Sequence, residues 1–177
     1  DFSPALSSEK QTALNGGFRY APATRIYIQF NNRFWENESL NGWGNTDLPE
    51  EIWQPSWDMT GNTGVLMSYL RWSAAEDMDT LNEDERNNAV LNRWENIFEG
   101  SINNFDKGVS KSWVLDEWSK GAWASPTTSQ NETLNESISE IEGRLHFAGE
   151  HASNDRGWMQ GALFSGLRAS TEIKNAN

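Results

Sequence analysis

The chain contains no cysteine. That excludes a disulfide, a thiolate metal site, a thiol nucleophile and a cysteinyl link to a cofactor. Only two histidines occur, His146 and His151, five positions apart, and a metal centre built on them would need further ligands within reach. Basic residues are few: 14 Lys and Arg stand against 26 Asp and Glu, for a net charge of -12. Nucleic acids and anionic membrane surfaces select clustered Lys and Arg, so neither is expected as a partner. Acidic charge spread along the chain serves solubility. No run approaches the roughly 18 apolar residues of a membrane span. No leader peptide is visible, and neither a GxSxG elbow nor a P-loop occurs. The opening "DFSPALSSEK" reads as mid-domain sequence, and both a secreted and a cytoplasmic location stay open.

Aromatic residues are plentiful, with ten Trp and eight Phe in 177 residues. That length suits one ordinary core and is too short for two full domains. "SSEKQTALNGG" reads as a short helix capped by Ser7 or Ser8 and ended by Gly16-Gly17. "TRIYIQFN" alternates as a strand, with Ile26, Ile28 and Phe30 on one face and Arg25, Tyr27 and Gln29 on the other. "IWQPSW" and "TGVLMSYLRW" predict two more strands around the turn cluster "DMTGN". "NEDERNNAVLNRWENIFEG" is the clearest helix, with an Asn82–Glu85 capping box and a stripe of Val90, Leu91, Trp94, Ile97 and Phe98. "KSWVLDEW" is strand-like, "GAWASPTTSQNETLNESISEIEG" a polar loop, "RLHFAGE" a final strand, and "GWMQGALFSGLRASTEI" the closing helix. Met159, Leu163, Leu167 and Ile173 fall near one face of that helix. Strands and helices mix without strict βαβ alternation, so the fold class is α+β, a mixed sheet flanked by helices. Carboxylate pairs such as "PEE" and "NEDE" are accounted for by acidic helix starts. The sequons at Asn37, Asn131 and Asn135 are the chance matches expected in an Asn-rich chain.

The segment with the most to say about chemistry is the last. A glycine, Gly157, stands immediately before a helix, and a helix N-terminus carries unpaired N–H groups and a partial positive charge. Such a start can stabilise an anionic or electron-rich group that approaches the bare backbone. Residue chemistry alone stops there.

"RLHFAGEHAS…GWMQGALFSGLRAS" closely resembles the C-terminal flavin motif of the flavin-dependent amine oxidase family, above all its L-amino acid oxidase branch. "TRIYIQFNNRFWE", "NTDLPEEIWQPSW…GVLMSYL" and "WVLDEWSKGAWA" resemble further segments of that family, in family order, over nearly the whole chain. The resemblance implies noncovalent FAD, because Ala122 in "KGAW" stands where some monoamine oxidases carry a flavin-linked Cys. It implies that Gly149 and Glu150 approach the FAD diphosphate and ribityl region. Gly157, Trp158 and Met159 would lie at the flavin ring, with Gly157 and Trp158 also bordering the substrate. Trp123 and Trp158 match the aromatic pair beside the reacting face, and Tyr69 matches a Tyr that bonds a substrate α-carboxylate. Arg25 stands where the family usually has Lys; it cannot act as a neutral base, and it would meet a substrate carboxylate or pair with an Asp or Glu.

The implied reaction is oxidative deamination of an L-amino acid to a 2-oxo acid, ammonia and hydrogen peroxide. Alternatives in the same family are an amine or polyamine oxidase and an amino acid monooxygenase; outside catalysis, a non-catalytic module that kept the fold. The family's Rossmann GxGxxG and early Arg do not occur in this sequence. A Rossmann-bearing front half is therefore expected as a partner segment, and the resemblance suggests a homodimer. The expected division is a substrate-binding portion over 1–125, a polar loop over 126–143, and a strand–helix over 144–177 that completes the FAD domain.

Overall fold

The computed structural model describes residues 2–48 and 50–176; Pro49, in the acidic "PEE" stretch, lies outside them. In chain order the elements are α1 (Ser8–Thr12), a π-helical turn (Ala13–Gly17), β1 (Tyr20–Ala21), β2 (Ala23–Phe30), a 3-10 turn (Phe34–Glu38), β3 (Gly44–Asn45), β4 (Glu50–Trp53) and β5 (Gly64–Arg71). They continue with α2 (Ser73–Asp79), α3 (Glu83–Trp94), α4 (Ser101–Asn104), β6 (Phe105–Ser112), β7 (Trp123–Ala124), α5 (Thr128–Ser139), a 3-10 turn (Glu150–Ala152) and α6 (Met159–Asn175). The chain divides into two compact units, residues 22–121 and residues 1–21 with 122–177. The later of the two points of division lies at 121/122. The observed division also assigns the first 21 residues to the same unit as the C-terminal segment.

In the unit of residues 22–121, an antiparallel sheet runs in the order β3-β4-β5-β2-β6. The alternation in β2 does what the sequence predicts. Ile26, Ile28 and Phe30 are fully buried and pack with Ile52, Leu66 and Leu70 from neighbouring strands. Helices α2 and α3 contribute Ala75, Met78, Val90, Leu91 and Trp94 to the same core. The capping box of α3 is present, with Glu85 N–H donating to Asn82 and Asn82 N–H to Glu85. Ile97 departs from the expected stripe: it lies beyond the helix end and is exposed.

Two strand expectations shift. "IWQPSW" is extended only as far as Trp53, and Trp57 N–H then closes a turn onto the Gln54 carbonyl. "KSWVLDEW" is not a strand beyond Ser112. The Asp116 carboxylate accepts from the Trp118 and Ser119 amides and pairs with Lys111, which folds the segment into a turn. Lys111 first, then Ser119, holds that carboxyl well below the usual carboxylate range. The strand is instead the preceding "FDKGVSKS", β6, an edge strand whose Lys, Ser and Gly residues hide its β character. The structure holds it by its register with β2 and by Ser110 N–H donating to Glu83 at 2.7 Å.

In the other unit, α1 is capped by Ser7, whose hydroxyl accepts from Lys10 N–H. The short β1–β7 pair, α5 and the loop before α6 enclose a small core of Ala13, Phe18, Ala124, Leu134, Ile138 and Ala152. The expected polar loop over 126–143 is corrected here. Residues Thr128–Ser139 form α5, opened by a Thr127–Gln130 capping box and anchored by Leu134 and Ile138, one turn apart. The expected final strand is also corrected. Over residues 144–150 the only β-type pairing among the described residues is a bridge between Glu142 and Leu145. A strand needs a neighbour for its N–H and C=O groups, and this stretch finds none there.

Candidate functional site

Two groups of residues singled out in the sequence are each brought together, one in each unit. The first surrounds the start of α6. Gly149 has φ 143, and a Cβ there would fall 2.3 Å from the His151 ring. Its N–H donates to Ser165 Oγ at 2.9 Å, which ties the "AGE" turn to the middle of α6. Gly157 has φ 76, and a Cβ on it would touch Trp123 Cδ1 at 3.5 Å, so the Trp123 ring lies close against that turn. Trp158 is the N-cap of α6, and its side chain gives no capping bond. The indole is 70% exposed and the Met159 side chain 81%. The helix therefore starts with a macrodipole that no N-cap side chain offsets, flanked by an open indole and an open thioether.

Glu150 holds two backbone segments together. Its Oε1 accepts from Ala124 N–H and its Oε2 from Gly157 N–H, both at 2.8 Å. Both oxygens are engaged with the chain's own backbone, so the carboxylate braces two segments of the site.

Around this lies a polar scaffold that sequence reading missed. Arg168 donates to the Phe147, Ala152 and Ser139 carbonyls and pairs with Glu172 at 2.6 Å. Arg156 donates to the His151 carbonyl and to the side-chain carbonyls of Asn131 and Asn135. Two of the three sequon asparagines thus have their amides engaged within the fold. The "RAS" at the helix end was visible in the sequence, but its backbone partners lie 16 to 29 residues away. Burial pushes the His151 imidazole below its ordinary value, and the neighbouring Arg156 adds to this against the opposing pull of Glu150. His146 Nδ1 lies 3.1 Å from Glu172. No cluster of three His, Cys, Asp or Glu side chains able to hold a metal occurs among the described residues.

The second group sits on the sheet face opposite the β2 core residues. Arg25 and Tyr69 are register partners on β2 and β5. The guanidinium lies over the Tyr69 ring, 4.5 Å from its centroid, and Arg71 approaches the same ring at 5.5 Å. Tyr69 meets Trp53 edge-on, and Trp53 stacks on Trp43. Burial works against the Arg25 charge, but the Tyr27 and Tyr69 hydroxyls outweigh it, so the group stands above its ordinary pKa. Arg25 Nε is buried without a hydrogen-bond partner, and no carboxylate among the described residues forms an ion pair with Arg25. The expected alternative of a simple Asp or Glu pair does not occur among them.

The chain as a whole matches a known family. The family model described as flavin containing amine oxidoreductase matches residues 1–174, and the chain belongs to that family. It is 34% identical over 181 residues to an L-amino-acid oxidase of Siganus canaliculatus, covering 98% of this chain and 34% of that protein. It is 30% identical over 181 residues to an L-amino-acid oxidase of Naja atra, covering 99% of this chain and 36% of that protein. The chain thus spans about a third of the length of these curated relatives. Among solved structures, it matches the cyclohexylamine oxidase from Brevibacterium oxydans IH-35A with a TM-score of 0.83 at 20% identity, over 99% of this chain and 39% of that one. A putrescine oxidase bound to putrescine matches with a TM-score of 0.81 at 17% identity, over 97% and 39%. At those identities the structural matches speak for the fold, and they bear out the α+β class.

Proposed function

We propose that this chain is the substrate-side and closing flavin segment of an FAD-dependent L-amino acid oxidase. Its own residues fit the cofactor: an N-terminus of α6 without a side-chain cap, the bare Gly149 and Gly157 backbone, and the open Trp158 and Met159 side chains. Gly157, Trp158 and Met159 would hold the ring, and the Gly149 backbone the ribityl–diphosphate region. The absence of Cys from the sequence supports a noncovalent cofactor. When bound, a flavin would supply the hydride acceptor and, toward oxygen, the peroxide-forming chemistry.

The helix dipole of α6 favours negative charge at its N-terminus. The Trp158 indole, with Trp123 behind Gly157, supplies flat apolar walls that exclude water and orient the substrate. Arg25 and Tyr69 bind the α-carboxylate by charge and by a hydroxyl donor. Arg25 stays protonated, so it fixes the substrate and moves no proton. An amino acid loses hydride from Cα to become an imino acid, and water then releases ammonia and a 2-oxo acid.

The observation that carries the amino acid reading over a simple amine is Arg25, a cation with no carboxylate partner among the described residues, held against Tyr69. The remaining two thirds of the relatives' length, including the Rossmann segment, would come from another stretch of polypeptide. The test is to assemble this chain with that segment and FAD, then follow bleaching of the flavin under nitrogen. L-amino acids should bleach it and release peroxide on re-aeration. Bleaching by decarboxylated amines alone would move the assignment to an amine oxidase. Bleaching without peroxide would indicate a monooxygenase, and no flavin uptake would favour a non-catalytic module.

A further inference from the structure

The Glu150 carboxylate sits between two backbone segments, and each carries one of the paired tryptophans. Ala124, whose N–H it accepts through Oε1, directly follows Trp123. Gly157, whose N–H it accepts through Oε2, directly precedes Trp158. The two bonds are equal at 2.8 Å, so neither segment can shift without losing one. Other bonds flank the first segment: Ala122 N–H donates to the Ala21 carbonyl at 2.9 Å and Ser125 N–H to the Arg19 carbonyl at 2.8 Å. β7 is two residues long, paired only with β1 among the described residues, and Gly157 sits in a turn with positive φ and exposed surface. Trp158 itself is too exposed for packing to fix it. A charge-assisted bond to each segment is worth about twice a neutral one. The brace thus ties the exposed Gly157 turn to the buried Ala124.

We propose that Glu150 is a positioning residue, and that its carboxylate sets the separation of the Trp123 and Trp158 backbones and so the width of the aromatic site between them. The consequence for catalysis rests on the flavin reading above. The brace itself belongs to this chain's own atoms and can be read without any cofactor. Misplacing a reacting partner by about 1 Å costs on the order of a hundredfold in rate, so a loosened brace acts on turnover before it acts on binding.

The experiment compares wild type, Glu150→Ala and Glu150→Gln in the intact protein, both flavin-stripped and flavin-loaded. Amide hydrogen exchange of the Ala124 and Gly157 peptides in the stripped protein reads the brace. Exchange should quicken by about tenfold or more in the Ala variant and by less in the Gln variant, which keeps one acceptor. In the loaded protein, anaerobic flavin reduction at saturating substrate should slow by about tenfold or more in the Ala variant, with KM and flavin content nearly unchanged, and recover in part with Gln. Unaltered exchange at both amides would overturn the brace. Quickened exchange with unaltered reduction would overturn the positioning role. A wild type that takes up no flavin would defeat the flavin reading and the catalytic half of the inference together, while the exchange result would still decide the brace.

Discussion

Glu50 enters the sheet core with no side-chain surface exposed, and four hydrogen bonds from three neighbours make that tolerable. Thr46 and Ser68 donate hydroxyls, and Arg93 donates Nε and Nη2 at 3.2 Å each. Removing one side of such a pair strands a buried charge. Arg93→Leu should cost about 3 kcal/mol in a urea unfolding curve, and the double variant with Glu50→Leu should recover part of that. At the proposed carboxylate site, Tyr69→Phe should lose about 1 to 3 kcal/mol of discrimination between an amino acid and its decarboxylated amine, measured as a ratio of kcat/KM values. Unchanged ratios would remove Tyr69 from the site. Trp158→Ala should lower turnover sharply with flavin still bound, since the indole is open and its loss leaves the core intact. Full turnover in that variant would exclude an aromatic wall at this position.

At the scale of the element, what could be read from the sequence tracks how much apolar periodicity an element carries. β2 and α3 show a strong period and a strong cap, and both fold as predicted. α5 has the cap but only a two-residue apolar stripe, Leu134 and Ile138, in a Ser-, Thr- and Asn-rich run, so composition concealed it. The "TTSQ" box was the available signal. Thr127→Ala should therefore destabilise α5 by about 1 kcal/mol, seen as faster amide exchange over residues 128–132. β6 is an edge strand defined by its partners, and no local pattern announces it. The candidate site shows the same division. Gly157, Trp158, Tyr69 and Arg25 could be picked out through resemblance to a family. The Glu150 brace and the Arg168 web could not, since their hydrogen bonds join positions up to 29 residues apart in sequence. The closing helix inverts a simple expectation. Its small residues Gly161, Ser165 and Ala169 are buried, while Met159, Leu163, Phe164 and Leu167 stand exposed.

For the whole molecule, that exposed apolar ridge and the one-third share of the relatives' length point the same way. The chain on its own should self-associate in solution, and adding the segment that carries the remaining family sequence should abolish this, as read by sedimentation. Acid should weaken it as well. Glu142 is held below its ordinary value of 4.5 by Ser7, and Glu172 by Arg168 first and then His146. Lowered folded-state values give stability that is present above 4.5 and lost as pH falls through the depressed values. Urea midpoints should thus fall between pH 6 and pH 3 and should fall less for Glu172→Gln. The indole of Trp158 has one more use. Surrounded by solvent, it emits at the red end of the tryptophan range, and a yellow chromophore stacked beside it would absorb that light. Subtracting the emission of Trp158→Phe from that of the parent would make this side chain a built-in optical gauge of cofactor docking, legible before any substrate has been found.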